Sequence, residues 1–119
     1  MTAHIVLFQP RADATPPDRA AFAESLARAC RDIPSVRRAL VGRAADIDAG
    51  YARSLGPDRF DYAAVLEFDD RAGLVAYLRH PLHQDLGQRF WRLCERTAIV
   101  EVDLIDARTD DLARAGWLI

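Results

Sequence analysis

Three histidines are the residues of this sequence best suited to proton-transfer chemistry. His80 and His83 stand three residues apart in the segment HPLH, and His4 lies near the start of the chain. Imidazole gains and loses a proton readily near neutral pH, so it can serve as a general base or a general acid. His83 falls in the first turn of a predicted helix, where the positive end of the helix dipole disfavours a charged ring. We therefore expect His83 to stay neutral, as a general base must.

Other roles are open for the same histidines. His83 could instead be a helix-end residue bonded to a backbone carbonyl, and His80, which precedes Pro81, is expected to cap the following helix. A zinc site of three histidines is also conceivable. Pro81 breaks the helix that would align His80 with His83, and no carboxylate stands at ligand spacing beside His4. The sequence therefore predicts no metal site.

The residues around His83 have the types and spacing of a pocket wall. Gly87 follows His83 by one turn, and a glycine inside a helix costs roughly 1 kcal/mol relative to alanine. Space for a ligand would explain that cost; the alternative is that Gly87 lets the helix approach the sheet. Phe90 and Trp91 lie on adjacent stripes of the same predicted helix, and Tyr77 lies on the inward stripe of the helix before it. We expect all four residues to border a pocket beside His83.

Three carboxylates on the predicted strands could be interpreted as a cluster. They are Glu67, Glu101 and Asp103. Acidic residues that alternate along a strand are usually solvated or paired with arginine, for example at the rim of a subunit interface. We assign them no role in the site.

Hydrophobic periodicity predicts an α+β domain with the order βαββαβ, the ferredoxin-like arrangement, with helices on one face of a four-stranded antiparallel sheet. Capping and breaking signals, such as Thr15 before Pro16 and Pro34 after a helical stripe, place the helix ends. The predicted strands span 3–8, 36–41, 61–68 and 98–105, and the predicted helices span 16–33, 71–78 and 81–96. Residues 43–59 are predicted to form a long loop with one helical turn around 47–51. Cys30 and Cys94 both fall in predicted helices and are expected to be reduced.

Composition excludes several classes of protein. The chain has 119 residues, 50% of them hydrophobic, which fits a single folded domain. Its formal net charge is -2, so no net positive field favours nucleic acid or an anionic membrane. The apolar run near the start is too short for a signal peptide or a membrane span. These features predict a cytoplasmic protein that binds neither nucleic acid nor membrane.

The first strand predicts self-association. His4, Val6 and Phe8 alternate with Ile5 and Leu7, so both faces of this strand are apolar. Helices can cover only one face of the sheet. A second copy of the chain is the economical cover for the other face, and we expect a homodimer.

Four segments together resemble the stress-responsive α/β-barrel family, also called the dimeric α/β-barrel or Dabb family. The family shows an initial H-[IV]-[VL]-L-F strand, an I-P-x-V turn followed by a glycine, a D-[YF]…F strand and a Y-x-x-H-P-x-H segment. The matching residues are 4–8, 33–36 with Gly42, 61–68 and 77–83. The resemblance covers about 3–106 and leaves a tail, 107–119, outside the domain.

The resemblance implies a ferredoxin-like protomer that dimerises through its sheet into a barrel. A plant branch of the family comprises polyketide cyclases, which close a poly-β-ketone by aldol condensation with neither metal nor organic cofactor. By that likeness His83 is the general base, Tyr77 assists it and His4 lines the same pocket. Tyr62 stands where the cyclase branch has a further pocket histidine, so the chemistry need not be identical.

Three hypotheses follow. The first is a cofactor-free cyclase or isomerase acting on a ketone-bearing, polyketide-like small molecule. The second is a stress-responsive binding protein with the same pocket and no turnover. The third is a cofactor-independent monooxygenase of the related antibiotic-biosynthesis type.

Overall fold

The computed structural model describes residues 1–48, 50 and 59–117, and in this part of the chain four strands form one antiparallel sheet. Strands β1 (Thr2–Pro10) and β3 (Tyr62–Phe68) are central, and β2 (Arg38–Arg43) and β4 (Cys94–Asp103) lie at the edges, in the order β2-β3-β1-β4. The ferredoxin-like α+β prediction is confirmed. The elements are β1 (Thr2–Pro10), α1 (Pro16–Asp32), β2 (Arg38–Arg43), β3 (Tyr62–Phe68), α2 (Arg71–Arg79), α3 (Pro81–Leu93), β4 (Cys94–Asp103) and α4 (Leu112–Ala115).

Local signals set the start of each long helix and the end of α1 as predicted. Thr15 caps α1, because its hydroxyl accepts a hydrogen bond from the Asp18 backbone N–H at 3.3 Å. Ile33, the residue before Pro34, is extended and ends the helix. Asp70 caps α2 by accepting from the Gly73 N–H at 2.9 Å.

His80 joins α2 to α3. Its backbone N–H donates to the Tyr77 carbonyl at the end of α2, and its Nδ1 accepts from the Leu82 N–H at 3.1 Å at the start of α3. Pro81 takes the first helical position, where a missing N–H costs nothing. The prediction that His80 is a cap is confirmed, and this cap aims the following turn, which carries His83.

Pairing between strands moved some boundaries away from the prediction. Helix α3 ends at Leu93 and β4 begins at Cys94, because β4 pairs along β1 as far as Gln9 and Pro10. Cys94 is therefore a strand residue, not a helical one. Strand β2 lies two residues later than predicted and contains Gly42, which is held opposite Ala63 of β3. In these cases the neighbouring strand overrides local propensity.

The loop at 43–59 follows the prediction only in part. Ile47 and Asp48 are not helical, and the rest of the predicted turn at 47–51 is described only at Gly50, a bend. In the tail, a four-residue helix, α4, ends at Gly116, which has a φ of 72°. Trp117 is exposed, and residues 118–119 lie outside the described part.

The two faces of the sheet have different surroundings. On the helix face, side chains such as Val6, Phe8 and Leu66 are buried beneath α1, α2 and α3. The opposite face, which we call the outer face, carries a row of aligned apolar residues with one from each strand. That row is Leu40, Val65, Ile5 and Val100. Leu40 and Val100 are 51% and 48% exposed.

Among the helices that the structure describes, none contains an apolar stretch of the length needed to span a bilayer.

Candidate functional site

A cavity of about 220 Å³ lies between the helix face of the sheet and the three long helices. We call it the main cavity. Most of its wall is apolar, with aromatic rings contributed by Phe8, Phe22 and Phe90. Its polar side chains form one connected group, Glu101, His4, Tyr77 and His83. An apolar cavity with a few convergent polar groups is the usual form of a small-molecule site.

His83 reaches the cavity from the first turn of α3. One ring N–H donates to the backbone carbonyl of Leu78, which leaves the other nitrogen with its lone pair. The pKa of His83 is lowered from its ordinary value of 6.5, chiefly by burial and then by the positive charge that His4 can carry; the bond to Leu78 opposes the shift. The ring is therefore neutral at neutral pH.

Tyr77 lies between the two cavity histidines. Its ring centroid is 4.8 Å from that of His83 and 5.8 Å from that of His4. The side chain is 2% exposed, and this burial raises the pKa of its phenol well above the ordinary 10.0. Tyr77 thus keeps its proton throughout the physiological range and is available as a hydrogen-bond donor.

His4 and Glu101 form an ion-pair-like contact across two neighbouring strands. They stand opposite each other in the β1–β4 register, and His4 Nδ1 lies 3.0 Å from Glu101 Oε1. A carboxylate only accepts hydrogen bonds, so Nδ1 carries the proton and Nε2 is the nitrogen left for a ligand. The expectation that Glu101 has no part in the site is wrong, because the strand pairing brings it to the helix face. The sequence did contain a signal for this position: neighbouring strand residues point to opposite faces, so an outward-facing Val100 places Glu101 on the helix face.

Gly87 and the neighbouring aromatic residues border the same cavity. A Cβ added at Gly87 would meet no heavy atom within 4 Å, so the helix does not need glycine to approach the sheet. Phe90 is buried, and its ring packs edge-on against that of Trp91, with the ring centroids 5.2 Å apart. Trp91 is 59% exposed and lines the cavity together with Ile99 and Glu101, which are also exposed, so the opening lies between α3 and β4.

Two other residues with chemically useful side chains lie away from the main cavity. Tyr62 stacks on Phe8 with ring centroids 5.5 Å apart and lines a separate cleft against α1, not the cavity that contains His83. His80 is also absent from the cavity wall. Over the described ranges, no group of three or more His, Cys, Asp or Glu side chains could hold a metal ion.

Comparison with models of known protein families identifies the family of this chain. Residues 2–104 match the model of the stress-responsive A/B barrel domain, known as Dabb. The chain belongs to the Dabb family. No curated protein sequence matches this Dabb protein closely enough to count as a relative.

Solved structures share its fold at low sequence identity. A dimeric ferredoxin-like protein of unknown function from Thermobifida fusca is 23% identical, with a TM-score of 0.68 over 87% of this chain and 90% of its own. A Dabb family protein from Mesorhizobium loti is 16% identical, with a TM-score of 0.67 over 88% of this chain and 97% of its own. A hydroxynitrile lyase from Passiflora edulis is 16% identical, with a TM-score of 0.72 over 88% and 94%. These likenesses show the fold.

Proposed function

We propose that this Dabb protein binds a small ketone-bearing molecule in the main cavity and catalyses proton transfer at the carbon beside the carbonyl, without a metal or an organic cofactor. The observation that carries the proposal is a neutral imidazole, His83, packed edge-on against a phenol, Tyr77, in an otherwise apolar cavity. A base with a free lone pair and a donor that keeps its proton are the two groups that enolisation requires.

The step balances with these groups alone. The free nitrogen of His83 takes the proton from the carbon, and the electron pair of the broken C–H bond moves onto the carbonyl oxygen. The Tyr77 hydroxyl donates a hydrogen bond to that oxygen as negative charge develops on it. Return of the proton at another position gives an isomer, and attack of the enol carbon on a second carbonyl gives an aldol ring closure.

The cavity limits the size of the substrate. A protein cavity of roughly 150 Å³ can hold benzene, and the main cavity measures about 220 Å³. It therefore suits one ring with a short ketone side chain. A longer, polyketide-like chain would extend through the opening beside Trp91.

Similarity to the Passiflora edulis hydroxynitrile lyase supports an enzymatic role, since it shows that this fold can carry catalysis. We also propose a homodimer in which two sheets pack face to face through the outer face. The aligned apolar row crosses all four described strands, and the Thermobifida fusca protein is itself described as dimeric.

Deuterium exchange tests the function directly. Phenylacetone and 1-phenylbutane-1,3-dione are incubated with the protein in D₂O, and loss of the α-proton signal is followed by NMR. We expect exchange faster than in buffer, and a loss of roughly 10²- to 10⁴-fold in His83→Ala, the usual contribution of a general base. Activity that survives chelation of all metals is expected as well.

His80→Asn is the matched control for the other histidine of the HPLH segment. Asparagine preserves the helix cap, and His80 does not border the cavity, so exchange should continue at the wild-type rate. Equal rates in wild type and His83→Ala would remove His83 from the mechanism. Ketone binding without exchange would favour the non-catalytic binding protein.

A further inference from the structure

The enolisation step proposed for His83 and Tyr77 does not use the pair formed by His4 and Glu101. It borders the main cavity, and its 3.0 Å contact joins a buried ring to an exposed carboxylate. A carboxylate at this distance orients an imidazole and compensates its charge when the ring is protonated.

We propose that His4 and Glu101 form the acid arm of this site: Glu101 holds protonated His4 in place, and His4 transfers its Nε2 proton to the substrate oxygen while His83 removes the proton from carbon. Glu101 is then a positioning residue that acts through His4. The inference rests on the proposed function and extends it, because it turns a hydrogen-bonded enolate into a fully protonated enol.

The step balances in protons and charge. His83 gains the proton from carbon and becomes positive, and His4 gives up a proton and becomes neutral. The substrate passes from ketone to enol with no change in its own charge. In the reverse direction the enol O–H returns its proton to His4, and His83 delivers a proton or a deuteron to carbon.

The surroundings of the two rings support opposite assignments. Two titratable groups whose environments favour different protonation states are the mark of an acid and base pair. Glu101 offers His4 a counter-charge, whereas burial and the charge on His4 both lower the pKa of His83. The contact with Glu101 therefore assigns the acid role to His4 and the base role to His83.

Among the described residues, few other charged groups can disturb this assignment of acid and base. From α2 and α3, Tyr77 and His83 face the His4 ring, and from β3 its neighbour is the apolar Leu66. Asp103, two residues along β4 from Glu101, is bonded to Arg71 and to the Thr2 hydroxyl.

These residues define the ligand as a molecule with a carbonyl at one end and an apolar ring at the other. The oxygen would lie near His4 and Tyr77, and the acidic carbon near His83. The ring would lie against the apolar wall that includes Phe8 and Phe90.

Glu101→Gln tests the inference, because glutamine keeps the size and the accepting oxygen but loses the charge. Long-range ¹H–¹⁵N NMR follows each histidine ring as the pH is lowered. In the wild type we expect His4 to become doubly protonated at a higher pH than His83. In Glu101→Gln the pH at which His4 does so should fall, while Glu95→Gln, an exposed change on the same strand, should match the wild type.

The pH dependence of deuterium exchange provides the second readout. A neutral base and a charged acid give a bell-shaped profile, whose alkaline limb reports loss of the proton from His4. Glu101→Gln should lower the maximum by roughly 10- to 100-fold, the usual cost of removing a carboxylate that orients a functional imidazole, and should move the alkaline limb to lower pH.

Each outcome decides a separate point. A purely structural role of Glu101 would lower the whole profile without moving its limbs, and that result would overturn the inference. Protonation of His83 before His4 in the wild type would overturn it as well. Absence of exchange in the wild type would defeat the proposed function instead, and the protonation order seen by NMR would then decide the His4–Glu101 assignment alone.

Discussion

The two faces of the sheet are built from alternate residues of the same strands, yet they have opposite character. On the helix face, Glu101 contacts His4 at the edge of a cavity that three helices enclose. On the outer face, the next residue, Val100, continues an apolar row with Ile5 and no helix above it. A shift of one residue in the β1–β4 register would exchange these environments. The chemistry of the site and the proposed self-association therefore depend on the same strand register.

A charge placed on the outer face tests this contrast with the largest expected effect. In a face-to-face dimer, Val100→Asp would bury a carboxylate from each subunit, and an unpaired buried charge costs about 3 to 5 kcal/mol. We expect the dimer dissociation constant to rise at least about 100-fold, as measured by sedimentation equilibrium. Deuterium exchange at the cavity should persist if each protomer holds a complete site.

Val75→Asp is the matched control for that change. Val75 is 41% exposed, but it lies on α2, on the opposite side of the sheet from the outer face. The same substitution there should leave the dimer intact. A wild-type protein that is monomeric at micromolar concentration, or a Val100→Asp variant that dimerises normally, would rule out the outer face as the interface.

The same contrast explains which features the sequence could predict. Alternation and capping are local, so β1, the Thr15 cap and the His80 cap followed from short stretches of sequence. The contact between Glu101 and His4 joins two residues that are 97 positions apart in the chain, and only the strand register places it at the cavity. For Tyr62 the strand was predicted correctly, yet its ring stacks on Phe8 and lines a separate cleft, not the cavity that contains His83. Local patterns identified the helices and strands, whereas strand pairing determined which residues border the cavity.

A smaller effect is expected on the helix face, where the contribution of His83 to the free energy of unfolding depends on pH. The pKa of His83 is lowered on folding, so its neutral ring favours the native state above the ordinary histidine pKa of 6.5. As the pH falls through and below that value, the unfolded chain binds this proton first and the contribution is lost. Each unit by which the pKa is lowered is worth about 1.4 kcal/mol.

Urea unfolding at pH 7.5 and pH 5.0, at one protein concentration, measures this contribution. The wild type should lose more free energy of unfolding between the two pH values than His83→Gln, which has no ring to protonate. The same loss in both proteins would contradict the burial-driven shift. Comparing the two differences cancels the titration of the other groups to first order.

The smallest expected effect separates the stability of the helix face from its use by a ligand. Gly87→Ala should raise the free energy of unfolding by about 0.4–1 kcal/mol, because alanine suits a helix better and the new methyl group would meet no atom within 4 Å. That methyl group would enter the main cavity, so phenylacetone should bind several-fold more weakly.

Gly73→Ala is the control: Gly73 is also helical, but a Cβ there meets Phe68 Cβ at an ordinary 3.5 Å, and Gly73 does not border the cavity. Thermal unfolding and calorimetric titration of both variants should show added stability in each and weaker binding only in Gly87→Ala. Unchanged ligand affinity in Gly87→Ala would mean that the space beside His83 is not where the ketone binds.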